Sequence, residues 1–215
     1  NFTVSWRNLT FKLKLMGFKH TGLLPEQAVN WAKMIDLIKN AGRPVKVLNL
    51  FAYTGGATVA CASAGAEVTH VDSAKAMVER AGENVRLSGL TDAKVRYIID
   101  DCLKFVRREI KRGRKYDAII MDPPSFGRGP NGEMWKIEDN LFSLIRETKE
   151  VLSDNPLFYL LNSYTTGLQP TVMANMLKLG LNTSNNAVIT ADEIGLNTRE
   201  EGIVLPAGAS ALAIF

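Results

Sequence analysis

The chain has 215 residues, 46% hydrophobic and 22% charged, with a formal net charge of +4 and a pI near 9.1. This fills one domain, or one domain with a small appendage, and the charge fraction is ordinary for a soluble globular protein. No apolar run approaches the roughly 20 residues needed to span a bilayer, no signal-peptide pattern opens the chain, and the mild basic excess favours anionic partners without naming one.

Cys61 and Cys102 are the only cysteines. They show neither zinc spacing nor a disulfide framework, so a reducing cytoplasm is the expected location. The first residue is Asn1, not Met, so a fragment or a processed chain is expected, with an upstream domain left open.

In chain order, Thr3 to Leu15 alternates apolar and polar residues around Arg7-Asn8, which predicts a β-hairpin. A loop follows, then a helix from Pro25 to Asn40, with Pro25 in its first turn and Gly42 and Pro44 as stops. Next come strand Val45–Leu50, a small-residue helix Gly56–Ala64, strand Glu67–Val71 ending at Asp72, and amphipathic helix Ala74–Leu87. Strand Lys94–Ile99 ends at Asp100-Asp101, helix Leu103–Arg112 follows, and strand Tyr116–Met121 ends at Asp122-Pro123-Pro124. Helix Ile137–Leu152, strand Leu157–Asn162 and helix Gln169–Leu179 continue the alternation. Asn185–Ile194 and Ala209–Phe215 read as two strands with no helix between them, hence an antiparallel pair. Strands alternating with helices imply a parallel sheet wound on both faces. The expected fold is α/β: a Rossmann-like, doubly wound seven-stranded sheet, mostly parallel, with an antiparallel C-terminal hairpin and a short N-terminal β-hairpin. We expect residues 1–24 to be the hairpin and its loop, belonging to the main domain or left from an accessory one, and residues 25–215 to be the main domain.

In such sheets ligands bind beyond the carboxyl ends of the strands. After the first strand, Asn49 to Thr58 contains Gly55-Gly56, where glycine permits close backbone approach and the next helix offers free N–H groups. A plain strand-to-helix turn is the alternative. Asp72, seventeen positions past Gly55, is placed to accept both ribose hydroxyls of a nucleoside, or else to cap the following helix, a task Ser73 can also perform. One carboxylate of Asp100 and Asp101 can accept from an adenine amino group, with the Cys102 N–H meeting a ring nitrogen. The other is expected to cap a helix, and Asp101 is assigned to the base. In Asp122-Pro123-Pro124-Ser125-Phe126 the prolines stiffen the backbone and withhold two donors. Carbonyls on that edge, with Asp122, can accept from an amino group, while Phe126 can stack on a flat base.

Together, Asn49-Leu50-Phe51-Ala52-Tyr53-Thr54-Gly55-Gly56, Asp72, Asp101 and Asp122-Pro123-Pro124-Ser125-Phe126 resemble the class I S-adenosylmethionine-dependent methyltransferases. Within them, the chain resembles the branch containing the bacterial 23S ribosomal RNA large-subunit methyltransferases, from about Phe18 to Phe215. The resemblance implies S-adenosylmethionine as cofactor, with Phe51, Tyr53 and Gly55 around its methionine part and Asn49 and Thr54 in the same segment. It further implies Asp72, with Ser73 beside it, at the ribose, and Asp101 with Cys102 at the adenine. Asp122 would serve the cofactor and, with Pro123 and Phe126, the catalytic edge; Gln27 would lie close to the cofactor. Lys19 and His20 fall in a loop that either covers the site or is ordinary.

The chain departs from the broad family in carrying Asn49 where an acidic residue is usual, and two glycines instead of three. The cytosine-C5 members need a cysteine just after the fifth strand, where this chain reads Asn162-Ser163-Tyr164-Thr165-Thr166-Gly167. Methyl transfer without a covalent cysteine adduct is therefore expected, with Asp122 and the Pro123 carbonyl orienting the acceptor and Phe126 or Tyr164 stacking beside it. The resemblance implies a base of RNA, ribosomal RNA in particular, as the acceptor, and two features favour a nucleic-acid target. One is the basic run Lys104, Arg107, Arg108, Lys111, Arg112, Arg114 and Lys115, which otherwise reads as a solvated face. The other is the long loop Gly127–Lys136, whose Trp135 either stacks a base or anchors the loop. A small-molecule or protein acceptor and a non-catalytic RNA-binding relative are the alternatives. A nicotinamide-dependent oxidoreductase is disfavoured because Gly-x-Gly-x-x-Gly is absent after the first strand.

Overall fold

The computed structural model describes residues 2–14, 21–128, 134–182 and 187–215. Expectations resting on Asn1, Leu15, Lys19, His20, residues 129–133 and Asn185 lie outside these. Two compact units divide the chain, residues 1–100 and residues 101–215.

The first unit opens with the expected hairpin, β1 (Phe2–Trp6) and β2 (Leu9–Leu13), antiparallel around Arg7. Its alternation has a direct consequence: Leu9 and Phe11 point inward and are fully buried, with Phe11 and Trp6 packed against the Trp31 indole. The expected helix from Pro25 splits. Pro25–Gln27 is a 3-10 turn, closed by the Gln27 N–H donating to the Leu24 carbonyl, and α1 runs Ala28–Asn40. Next come β3 (Lys46–Leu50), α2 (Gly56–Ser63), β4 (Glu67–Asp72), α3 (Lys75–Leu87) and β5 (Val95–Ile99). The strands are parallel, with Leu50 paired to Val71 and Asp72 to Ile99, so their carboxyl ends lie level. Val47, Leu48, Asn49 and Leu50 are all buried, as in a strand covered on both faces, with Asn49 the one polar residue among them.

The second unit comprises α4 (Cys102–Lys111), β6 (Ala118–Met121), β7 (Phe126–Arg128), β8 (Met134–Lys136), α5 (Ile137–Lys149), β9 (Phe158–Ser163), α6 (Pro170–Leu181), β10 (Val188–Asn197) and β11 (Val204–Ile214). β6 and β9 are parallel, and β11 runs antiparallel to both β9 and β10. With β3, β4 and β5 these four make the seven strands of one mostly parallel sheet, as expected.

Two features of this unit also differ from expectation. The flanks of the loop at Gly127–Lys136 form an antiparallel ribbon, β7 with β8. β10 and β11 also run further, to Asn197 and from Val204, because residues 204–208 extend past Ser163, the last β9 residue paired to β11. Leu196, Val204 and Leu205 on this arm are exposed, so burial there imposes no alternation for a sequence reading to find.

Candidate functional site

The segment after β3 has a strained backbone. Phe51 and Tyr53 take left-handed conformations (φ 53° and 51°), as does Gly55 (φ 82°). Such a residue other than glycine costs roughly 1–3 kcal/mol and persists only where its surroundings enforce it. Here the end of β4 does so: the Ala52 N–H donates to the Val71 carbonyl at 3.1 Å, and the Tyr53 N–H to Asp72 Oδ2 at 2.8 Å.

Asp72 also accepts from the Ala74 N–H through Oδ1 at 2.9 Å, at the start of α3, where Ser73 supplies no cap. Both oxygens are thus engaged once. A carboxylate offers about four lone-pair directions, so one per oxygen remains for a pair of vicinal hydroxyls. The Asp100 N–H donates to the Asp72 backbone carbonyl, placing the β5 end beside this carboxylate.

The two glycines serve packing. A Cβ at Gly55 would stand 2.7 Å from the Ala81 Cβ on α3, and one at Gly56 2.7 Å from the Trp31 ring. The close approach that demands glycine here is made by protein. Asn49 and Thr54 also point inward. Asn49 Nδ2 donates to Thr58 Oγ1 (3.0 Å), which shares a hydrogen bond with His70 Nδ1 (2.9 Å). Burial pushes the His70 imidazole down to about 4. Thr54 Oγ1 donates to the Gly22 carbonyl at 2.7 Å. Asn84, buried on α3, donates to the Thr54 carbonyl and accepts from the Lys12 N–H of β2, both at 2.9 Å. Gln27 is buried and accepts from Asn30 Nδ2. Burial raises the Tyr53 phenol above its usual range, with the Arg80 guanidinium opposing. Thr58, His70 and Asn84 went unpredicted. Their signal was a polar residue on an otherwise apolar strand or helix face.

In the second unit, Asp101 is the N-cap of α4, its Oδ1 accepting from the Lys104 N–H at 2.8 Å. The capping expected of one aspartate thus falls on the residue assigned to the base. Cys102 is buried in the first turn of α4. After β6, Pro123 is buried, Asp122 half-buried and Phe126 52% exposed. The Trp135 indole N–H donates to the Pro124 carbonyl at 2.6 Å, and the Ile137 N–H to the Ser125 carbonyl at 3.1 Å. Trp135 therefore anchors the ribbon. Ser125 Oγ lies 2.7 Å from Thr165 Oγ1, tying the segment after β6 to the one after β9. Much of the basic run is engaged internally. Arg107 forms two hydrogen bonds with Glu147, Arg112 and Arg114 meet the buried Glu109, and Lys115 donates to the Glu150 carbonyl. Back in the first unit, Cys61 is fully buried and its thiol pushed up to about 12.

An α/β sheet of the doubly wound class places its ligand sites at these strand ends. The sequence model of the S-adenosylmethionine-dependent methyltransferases matches residues 2–163. The chain is 35% identical over 147 residues to a ribosomal RNA large subunit methyltransferase K/L of Shewanella frigidimarina, covering 67% of this chain and 20% of that protein. It is 42% identical over 82 residues to a ribosomal RNA large subunit methyltransferase I of Klebsiella pneumoniae, covering 38% of this chain and 20% of that protein. The crystal structure of an S-adenosylmethionine-dependent methyltransferase from Agrobacterium tumefaciens superposes with a TM-score of 0.93 at 35% identity, covering 99% of this chain and 69% of that one. The chain belongs to the S-adenosylmethionine-dependent methyltransferase family. It spans about a fifth of the length of the curated relatives it matches. Its cofactor is S-adenosylmethionine. No helix among the described residues is long and apolar enough to cross a membrane.

Proposed function

We propose that this domain methylates a base of RNA, ribosomal RNA first, by direct in-line transfer in the cytoplasm. Two relatives that share its sequence are named as ribosomal RNA large subunit methyltransferases, and that observation carries the choice of acceptor. Asp72, with Ser73 beside it, holds the ribose; Asp101 and the Cys102 N–H take the adenine. Phe51, Tyr53 and Gly55 surround the methionine part, with Asn49, Thr54 and Gln27 bracing that segment from within. Residues 1–24 act as a brace for the domain of residues 25–215, through the Lys12–Asn84 bond.

When bound, S-adenosylmethionine supplies a methyl group on a cationic sulfur; the S–CH₃ bond breaks as the acceptor's bond to carbon forms, leaving neutral S-adenosylhomocysteine. Asp122 and the Pro123 carbonyl accept from the acceptor's amino group and aim its lone pair, and the displaced proton leaves to solvent. Alignment of this kind is worth roughly 7–11 kcal/mol. Trp135 and Ile137 engage the next two carbonyls, which supports Pro123 as the one used. Phe126, half-exposed beside this edge, is suited to stack on the base. Cysteine attack is disfavoured by the depth of Cys61 and by Ser163 and Tyr164 where the nucleophile would stand.

The test is methyl transfer from labelled S-adenosylmethionine to ribosomal RNA of cells lacking the protein, read by nucleoside mass spectrometry. A single methylated nucleoside is expected with the wild type and none with Asp122→Ala, which still binds S-adenosylhomocysteine. Full turnover by Asp122→Ala removes that residue from the mechanism, and no label in RNA with the wild type removes the acceptor.

A further inference from the structure

β11 continues for five residues beyond its last pairing with β9, so the β10–β11 arm projects past the same strand end as Asp122-Pro123. The arm leaves the sheet at a bulge, where Ile194 pairs Gly208 but Gly195 pairs Pro206. Bulges at such places bend a strand and re-aim what it carries. Between the root of the arm and the segment after β9 lies a cavity of about 400 Å³ lined by Tyr164, Thr165, Gln169, Glu193, Pro206 and Gly208, among others. That volume is within the ~300–1,000 Å³ typical of small-ligand sites.

Three observations give the cavity its chemistry. Tyr164 is seated on bare backbone: a Cβ at Gly208 would stand 2.9 and 3.0 Å from two of its ring carbons and 2.7 Å from the Ser163 carbonyl oxygen. Glu193, exposed on β10 opposite Ala209, is among the lining residues and brings a carboxylate to the cavity's rim. The Ser125–Thr165 hydroxyl contact ties one wall directly to the Asp122-Pro123-Pro124-Ser125 segment. A flat aromatic face, an acceptor-only carboxylate and a tie to the proposed catalytic edge are what a single unstacked base requires.

We propose that this cavity receives the acceptor base, that Tyr164 stacks on its face, and that Glu193 accepts one N–H of its exocyclic amino group while the Asp122-Pro123 edge takes the other, so that the substrate is an amino-bearing base and not a uracil. The inference rests on the RNA-base reading above. Uracil fits less well because it has no exocyclic amino group to offer Glu193, and two carbonyls flank its single pairing-edge N–H.

The experiment measures kcat and KM for ribosomal RNA with the wild type, Tyr164→Ala, Tyr164→Phe and Glu193→Gln, with S-adenosylhomocysteine affinity measured in parallel. Tyr164→Ala is expected to raise KM for RNA about tenfold or more, the loss that follows removal of a stacking ring, and Tyr164→Phe to restore it. Glu193→Gln, an exposed change that leaves the core intact, should lower kcat/KM for RNA about tenfold. S-adenosylhomocysteine affinity stays unchanged in all three. The methylated nucleoside should derive from adenosine, guanosine or cytidine. Wild-type kinetics in Tyr164→Ala and Glu193→Gln, or a methylated uridine as product, overturns the pocket while leaving the RNA reading intact. No RNA methylation by the wild type overturns both.

Discussion

The Tyr53 N–H donates to Asp72 Oδ2 at 2.8 Å, so the carboxylate that ends β4 also fixes the strained segment after β3. Its other oxygen receives the Ala74 N–H. Ribose acceptor and helix-start acceptor are therefore compatible readings of one residue. The same carboxylate that shapes the turn keeps lone pairs for a ligand.

Asn84 carries the same logic one layer deeper. Asn84→Ala leaves the Thr54 carbonyl and the Lys12 N–H without this partner, at about 1–3 kcal/mol for each group left unsatisfied. For a chain of this length we predict a melting temperature lower by roughly 5–10 °C, read by calorimetry. A change within about 2 °C contradicts the bracing role.

His70 gives a pH signature. Its pKa falls from 6.5 to about 4 on burial, so the unfolded chain takes up a proton that the folded one refuses. Stability from this group is complete above pH 6.5 and is lost as pH falls toward 4, by about 3 kcal/mol in all. Between pH 6.5 and 5, above the ordinary carboxylate range, the wild type should lose melting temperature more steeply than His70→Asn. Parallel slopes for the two proteins refute the assignment.

The order of strands and helices was legible because apolar runs and breakers alternate regularly, as at Val45–Leu50 followed by Gly55-Gly56. Asp72 was legible by its place at a strand end, and its pairing with Tyr53 was not, since nothing in the sequence shows that Phe51 and Tyr53 turn left-handed. Gly55 and Gly56 pointed to close approach but not to what approaches, which is Ala81 and Trp31. The division of labour between Asp100 and Asp101 hangs on a cap geometry that adjacent identical residues cannot reveal. The β10–β11 arm escaped notice because its exposed residues leave no periodic trace.

Trp135 is argued to position the Pro124 carbonyl and not to stack a base. Trp135→Phe keeps the ring and removes the donor, so kcat for methyl transfer should fall about tenfold, as for loss of one hydrogen bond. KM for RNA should stay unchanged. A raised KM with normal kcat would assign Trp135 to the substrate instead.

On the proposed function, the strand end carrying Asp72 holds the nucleoside of S-adenosylmethionine. Isothermal titration calorimetry of the wild type and of Asp72→Ala with S-adenosylhomocysteine tests it most directly. Saturable one-to-one binding by the wild type, weakened at least about tenfold in the variant by loss of charge-assisted hydrogen bonds, is the predicted result. Absence of binding by the wild type, or equal affinity in the two proteins, would contradict it.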